Sequence, residues 1–175
     1  MGNKLAREFQ KLALEAADWE RVRTEERPFF QDAHATGIGS RRLTLIHCPS
    51  FDRGYAWDIR EIEDRFRLYR SRVCHGSTQL KGYDLLQFES KPLREYLRRL
   101  QAIKIALHPT GRAGLDGTSV HLGIFSGGVA SIQLSWWGEP QNEWKEIGVI
   151  TEEMRKQFSQ APLFETDSSV TKQTD

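Results

Sequence analysis

Two stretches near the carboxyl end decide how this chain folds: LDGTSVHLGIF at 115–125 and VASIQLSWWGEPQNEW at 129–144. In each of them, apolar residues alternate with polar or small ones. The alternating apolar positions are Val120, Leu122 and Ile124, then Ile132, Leu134 and Trp136. A period of two is typical of a strand with one buried face. The two stretches therefore predict a β-hairpin.

Matching the two apolar sets predicts the register of the hairpin. Ile124 then lies opposite Ile132, and Val120 lies opposite Trp136. This pairing needs an odd-numbered loop, 127–129, with a glycine at positive φ. Trp136 is predicted to join the core. The opposite, more polar face is predicted to carry Ser119, His121, Gln133 and Trp137.

The amino-terminal residues 3–27 show a helical pattern. Apolar residues step by 4, 3, 4 and 3 along one face, at Leu5, Phe9, Leu12, Ala16 and Trp19. This spacing predicts a helix that ends before Pro28. The helix either packs on its own sheet or, as the alternative, forms a homodimer through its apolar seam.

Residues 42–48 read as a strand that is stopped by Pro49. The pattern of 55–75 fits both two strands with a turn near Asp64 and one helix. Dense aromatic and β-branched residues favour two strands. No strand is predicted between 75 and 90.

Two further helices are predicted. Ser90 is expected to cap a helix over 90–107. Pro140 begins the last helical region, in which Gly148 is expected to break the helix and Thr151 to cap its second part. The polar residues 162–175 are predicted to be a disordered tail that follows a single domain over 1–161.

These elements predict an α+β fold. We expect a sheet of about five mainly antiparallel strands, with three main helices packed chiefly on one face. The length of 175 residues fits one domain.

The bulk composition excludes some classes of function. A net charge of +1 argues against a protein that coats nucleic acid or an anionic membrane. No apolar run is long enough to span a bilayer, and the charged amino terminus is unlike a secretory signal. Cys48 and Cys74 cannot make a disulfide framework. The sequence therefore predicts a cytoplasmic protein.

Candidate chemistry is sparse. His47-Cys48 and Cys74-His75 are zinc-type residues, but neighbours on a strand point to opposite faces, so neither pair easily shares one ion. No metal site and no cofactor are predicted. Cys48 with a histidine could also supply a nucleophile, but no nucleophile motif surrounds it. The sequence therefore favours binding over catalysis and predicts no catalytic residue.

Two candidate binding surfaces remain. The first is the predicted polar face of the hairpin, Trp137, His121, Gln133 and Ser119, unless the last helix covers Trp137. The second consists of Arg67, Tyr69, Arg70 and Arg72. Arginine interleaved with aromatic residues can bind RNA or single strands. Neighbouring acids cancel most of that charge, so nucleic-acid binding is the weaker prediction.

The segment from Asp116 to Trp144 resembles part of a group of small bacterial proteins. The shared pattern is a DGT strand start, an SWW strand end and a following Pro…Trp helix, here Asp116, Gly117, Thr118, Ser135, Trp136, Trp137, Pro140 and Trp144. The resemblance implies no settled activity. By size and class alone, such proteins include immunity proteins against bacterial toxins.

The sequence thus predicts a bacterial cytoplasmic protein that acts by binding a protein partner, in the manner of an immunity or adaptor protein. One alternative is a small-ligand-binding protein or an enzyme that uses its histidine and cysteine residues. The other is RNA or single-strand binding through residues 60–72.

Overall fold

A computed structural model describes residues 26–30, 38–74, 78–105, 117–126, 130–140 and 142–164. Within these ranges, strands alternate with only two α-helices and one short 3₁₀ turn. The strands are β1 (Glu26–Pro28), β2 (Ser40–Pro49), β3 (Tyr55–Ile62), β4 (Arg65–Val73), β5 (Gln79–Leu86), β6 (Thr118–Ser126) and β7 (Ala130–Trp137). The helices are α1 (Ser90–Ala102) and α2 (Lys145–Gln160), with the 3₁₀ turn at Asn142–Trp144.

The seven strands form one curled sheet in the order β1-β5-β4-β3-β2-β6-β7, and every pair is antiparallel. The prediction of about five strands and three helices is therefore wrong. The described chain is mostly sheet, and β1 and β5 are the strands that were not predicted. Most of the predicted amino-terminal helix, and the homodimer based on it, lie outside the described residues.

The two strands were missed because their residues are poor strand formers. β5 contains Lys81, Gly82 and Asp84, which are residue types depleted in strands. Gly82 has a φ of +76° and lies where the β4–β5 register shifts, so it provides a bulge. β1 contains Pro28, and its pairing with β5 makes residues 26–28 a strand rather than the end of a helix.

The predicted hairpin is confirmed. Val120 lies opposite Trp136, Leu122 opposite Leu134 and Ile124 opposite Ile132. The preference for two strands over 55–75 is also confirmed, as β3 and β4. Glu63 and Asp64 join them with φ values of +48° and +61°, the conformation of a tight two-residue hairpin turn.

The helix ends differ from the prediction. Helix α1 stops at Ala102, and Ile103 is extended. Ser90 does not cap α1, because its hydroxyl accepts a hydrogen bond from the Phe66 N–H at 3.0 Å. Helix α2 runs through Gly148 without a break. Thr151 therefore caps nothing and instead donates to the Gly148 carbonyl at 3.0 Å.

Both helices pack on one face of the sheet, which we call the helix face. Its core joins apolar side chains of six strands, β2 to β7, to the buried stripes of α1 and α2. Phe158 lies at its centre, with its ring centroid 6.5 Å from Trp57, 5.3 Å from Phe88 and 5.8 Å from Tyr96. This core holds α2 against the sheet and so positions the residues that follow β7.

The other face of the sheet buries charged groups. Four charged side chains from β1, β2 and β3 converge on a tyrosine of β5, and none is more than 3 % exposed. We call this set the buried arginine cluster: Arg27, Arg41, Asp58, Arg60 and Tyr83.

Asp58 is the acidic centre of this cluster. Arg41 Nε lies 3.3 Å from Asp58 Oδ1, and Arg27 Nη2 lies 3.9 Å from Asp58 Oδ2. Arg41 and Arg60 both donate to the Tyr83 hydroxyl, at 2.9 and 2.8 Å. Burial alone would raise the pKa of Asp58, but the guanidinium groups of Arg41, Arg60 and Arg27 outweigh burial and lower it. The cluster therefore ties β1 to the middle of the sheet.

The predicted tail begins with residues that bond to β5. Gln87 N–H donates to the Pro162 carbonyl at 2.8 Å, and Phe164 N–H donates to the Leu85 carbonyl at 2.9 Å. Residues 165–175 lie outside the described part of the chain.

Candidate functional site

Strand β7 forms one edge of the sheet and, among the described strands, pairs with β6 alone. Its eight residues, ASIQLSWW, include no charged residue and no proline. Its register with β6 has no bulge. The side chains of Ala130, Ser131, Ile132 and Gln133 are exposed, and Ile132 is 52 % exposed. Natural sheets usually protect an edge with charges, prolines or bulges, because free N–H and C=O groups pair readily with another strand.

A groove of about 990 Å³ opens on the helix face, next to the end of β7. Its floor consists of side chains from β2, β6 and β7, namely Leu45, His47, Val120 and Trp136. One wall is α2 from Lys145 to Lys156, and the end is closed by the chain from Gly138 to Pro140. The volume lies in the range that ligand-binding pockets of proteins occupy.

The segment that suggested a family resemblance builds much of this groove. Gly138 turns the chain away from β7 with a φ of +67°, and its N–H donates to the Thr118 carbonyl at 2.8 Å. Pro140 then packs against Gly148 of α2, where any side chain would collide with the proline ring. The close approach of Pro140 to α2 is therefore possible because residue 148 is glycine.

Trp136 and Trp144 fix the floor of the groove. Their ring centroids lie 6.1 Å apart at an angle of 81°, an edge-to-face contact. Trp144 is buried, whereas Trp136 is only partly buried and lines the groove. As predicted, Trp136 packs against the core, and its remaining surface is available to a ligand.

The α2 wall is charged, and most of its charges are paired. Glu152 accepts two hydrogen bonds from Arg155, each 2.7 Å long, and lies 3.5 Å from Lys156 Nζ. The hydrogen bonds from Arg155 lower the pKa of Glu152. Lys145 is exposed and forms no ion pair with a described residue. Val149, also on this wall, is 58 % exposed.

His47 is half-buried in the groove floor. Burial lowers its pKa, and the positive charge of Arg155 lowers it further. His47 and Cys48 lie on opposite faces of β2: His47 lines the groove, whereas Cys48 packs in a small cluster on the other face. Burial raises the pKa of the Cys48 thiol, which favours the less reactive protonated form.

The sequence-predicted hairpin surface lies on the face opposite the groove. Ser119 pairs with Trp137, His121 with Ser135, and Gly123 with Gln133. Of the four named residues, Gln133 is exposed and the other three are partly buried. His121 Nδ1 is 2.8 Å from Ser135 Oγ, and the His121 ring centroid is 5.1 Å from that of Phe29. Trp137 packs against Gly117, and its side chain is therefore only partly exposed.

The second predicted surface is divided between the two faces. Tyr69 is fully buried beside Tyr83, and Arg67 lies on the same face of β4, opposite Arg60. Arg70 and Arg72 pair with residues of β3 that face the helices, and Arg70 lies 3.7 Å from Asp84. These four residues therefore do not form one continuous arginine surface.

Sequence reasoning missed the groove wall and the buried arginine cluster. Val149 could have been noticed, because it is apolar yet lies off the buried stripe of the last helix, which includes Ile147, Ile150 and Met154. The cluster had no comparable signal, since its members are scattered over four strands. In the described ranges, no three potential ligands lie close enough to hold a metal ion.

No family model, no curated protein and no solved structure matches this chain. Within the part of the chain described above, neither helix has the length and apolar character needed to cross a membrane.

Proposed function

We propose that this protein acts by binding a protein partner, which adds an extended segment to the edge of β7 that no described strand pairs with. The observation that carries this proposal is an eight-residue edge strand without a charge, a proline or a bulge. Such an edge offers a row of main-chain donors and acceptors to another strand. Strand addition is a common mode of peptide recognition, in which main-chain hydrogen bonds supply affinity.

The arrangement of the other candidate residues supports a protein partner over the alternatives. Arg67 and Arg70 belong to opposite faces, which disfavours an RNA-binding surface made of both. His47 and Cys48 point away from each other, which disfavours a nucleophile and base pair. Gln133 is the predicted surface residue that we place in contact with the partner, because it is exposed on β7.

We further propose that the protein is bacterial and cytoplasmic, with an adaptor- or immunity-like role. The free thiols of Cys48 and Cys74 suit a reducing compartment. An adaptor or inhibitor of this kind binds its partner in a fixed ratio and shows no turnover.

The test is affinity purification of tagged protein from its native cytoplasm, followed by mass spectrometry. We expect one stoichiometric polypeptide to co-purify with the wild type. Ile132→Lys should lose it, because a charge on the edge opposes strand addition. Gln101→Lys, which places the same side chain at an exposed position of α1, is the matched control and should retain the partner. A partner that stays with Ile132→Lys, or the absence of any partner, would contradict the proposal.

A further inference from the structure

We infer that the partner segment is an amphipathic strand of defined order, with apolar residues opposite Ile132 and Leu134 and an acidic residue opposite Trp136. This inference rests on the proposed function, since it describes the strand that β7 receives. The groove is then the site that binds the acidic residue of the partner strand.

The apolar part follows from the pleat of β7. Ile132, Leu134 and Trp136 share the helix face, because their partners Ile124, Leu122 and Val120 all contact its core. Side chains directly opposite one another in an antiparallel pair have Cβ atoms about 4.5–5.5 Å apart.

An added strand would therefore place every second side chain beside these three residues. Ile132 is 52 % exposed, although its cross-strand neighbour Ile124 packs against the helix-face core. Apolar residues opposite Ile132 and Leu134 would remove this surface from water and extend the helix-face core by one strand.

The acidic part follows from the charges near Trp136. A side chain opposite Trp136 reaches the mouth of the groove, because Trp136 forms part of the groove floor. The groove lining carries three cationic side chains and two carboxylates: Lys145, Arg155, Lys156, Glu139 and Glu152. Arg155 and Lys156 are already paired with Glu152, whereas Lys145 has no ion pair with a described residue. Glu139 likewise has no ion pair with a described residue, but three cations against two carboxylates give the lining a net charge of +1. Lys145 is the cation of the lining that no described carboxylate pairs with, and a partner's carboxylate would meet it.

The other face of the added strand would be polar. Ser131, Gln133 and Ser135 are exposed on that face of β7 and carry hydroxyl and amide groups. Cross-strand neighbours that hydrogen-bond to such groups are themselves polar. The partner segment therefore alternates apolar and polar residues and carries its acidic residue on the apolar face, at the end near α2.

The test is selection from a displayed library of random extended peptides against the purified full chain, followed by affinity measurements on the enriched peptides. We expect enriched peptides with two apolar residues and one acidic residue at successive alternate positions. Lys145→Glu should weaken their binding by about tenfold or more, since like charges then meet. Lys104→Glu reverses an exposed charge two residues beyond the end of α1, outside the groove lining, and should leave the affinity unchanged.

The outcomes separate this inference from the proposed function. Some selected peptides could bind the wild type and Lys145→Glu equally well but fail to bind Ile132→Lys. This result would overturn the prediction of an acidic residue and would still support strand addition. Failure to select any peptide that depends on Ile132 overturns both. Sedimentation equilibrium tests whether a second copy of this chain pairs with β7. A wild-type dimer that Ile132→Lys dissociates would show such pairing and would overturn the inference.

Discussion

Strands β1 and β7 bound the same sheet, yet β1 has three residues, including the exposed Pro28 and an ion-paired Glu26, whereas β7 has eight residues without a charge or a proline. A proline removes a main-chain donor, and a charge opposes the approach of another strand. The β1 edge thus carries the features that prevent strand addition, and the β7 edge carries none of them.

The two edges are also held to the sheet by different forces. Arg27 anchors β1 through the buried arginine cluster, donating to Ser71 Oγ at 2.7 Å and lying 3.7 Å above the Tyr83 ring. Strand β7 is anchored by Leu134 and Trp136, which pack on the helix-face core. The protected edge strand β1 is therefore held by buried charged groups, whereas β7 is held by apolar contacts that a partner strand can extend.

The largest expected effect concerns the β1 anchor. Asp58→Asn should lower the free energy of unfolding by about 3–5 kcal/mol, because it leaves buried guanidinium groups without their carboxylate. Urea denaturation measures this loss. Asp84→Asn is the control, since its ion pair with Arg70 is partly exposed and should contribute no more than about 1 kcal/mol. Equal losses in the two variants would show that the cluster does not anchor the fold.

A smaller effect is expected at the groove beside β7. Gly148→Ala should lower the free energy of unfolding by about 1–3 kcal/mol through its collision with Pro140, an effect partly offset by roughly 1 kcal/mol of improved helix propensity. Thermal denaturation checks this result. Val149→Ala is the control, because Val149 is the next residue in α2 and is exposed. It should change the free energy of unfolding by no more than about 0.5 kcal/mol. A stabilised Gly148→Ala would mean that Pro140 does not fix the groove end.

Acid should lower the stability of the fold in two separate steps. His47 and His121 have pKa values lowered by burial, so the unfolded chain binds more protons than the folded chain as the pH falls below about 6.5. Stability is therefore fully present above that pH and declines below it, until both states are protonated. Asp58 has a lowered pKa, so its contribution is present above about pH 4 and is lost as the pH falls further.

Denaturation curves from pH 8 to pH 3 measure both steps. Replacing His47 and His121 together with glutamine should flatten the first step and leave the second. A first step that persists in the double variant would show that other groups cause it.

The smallest effect on stability is expected at the open edge itself. Ile132→Lys should change the free energy of unfolding by no more than about 0.5 kcal/mol, because the side chain is half exposed. Circular dichroism during urea denaturation would measure it. A loss above about 2 kcal/mol, comparable to that of a buried residue, would mean that β7 is covered in the free protein.

The hairpin could be predicted from sequence because alternation marks its two faces, whereas the β3–β4 pair could be predicted because aromatic and β-branched residues are dense there. Matching Ile124 with Ile132 and Val120 with Trp136 left only one register that places both apolar sets on the same face. Strand β5 could not be recognised in the same way, since the bulge at Gly82 interrupts its alternation. The order of strands in the sheet, which makes β7 an edge, is a tertiary property that no local pattern reports.

The candidate site could be predicted only in part. Trp136 and Pro140 belong to the segment that stood out in the sequence, and both line the groove. Val149 was a sequence signal for an exposed apolar position, but its place beside the groove could not be predicted, because α2 reaches the sheet only after Gly138 and Pro140 have turned the chain. The division of Arg67 and Arg70 between two faces follows from the period of the strand, but only once β4 is known to be a strand.

The most direct test of the difference between the edges is photo-crosslinking inside living cells of the natural host. A photoreactive amino acid is placed at position 133, exposed on β7, or at position 26, exposed on β1. We predict one discrete protein adduct from position 133 and none from position 26. Adducts of equal yield from both positions, or an adduct from position 26 alone, would contradict the account.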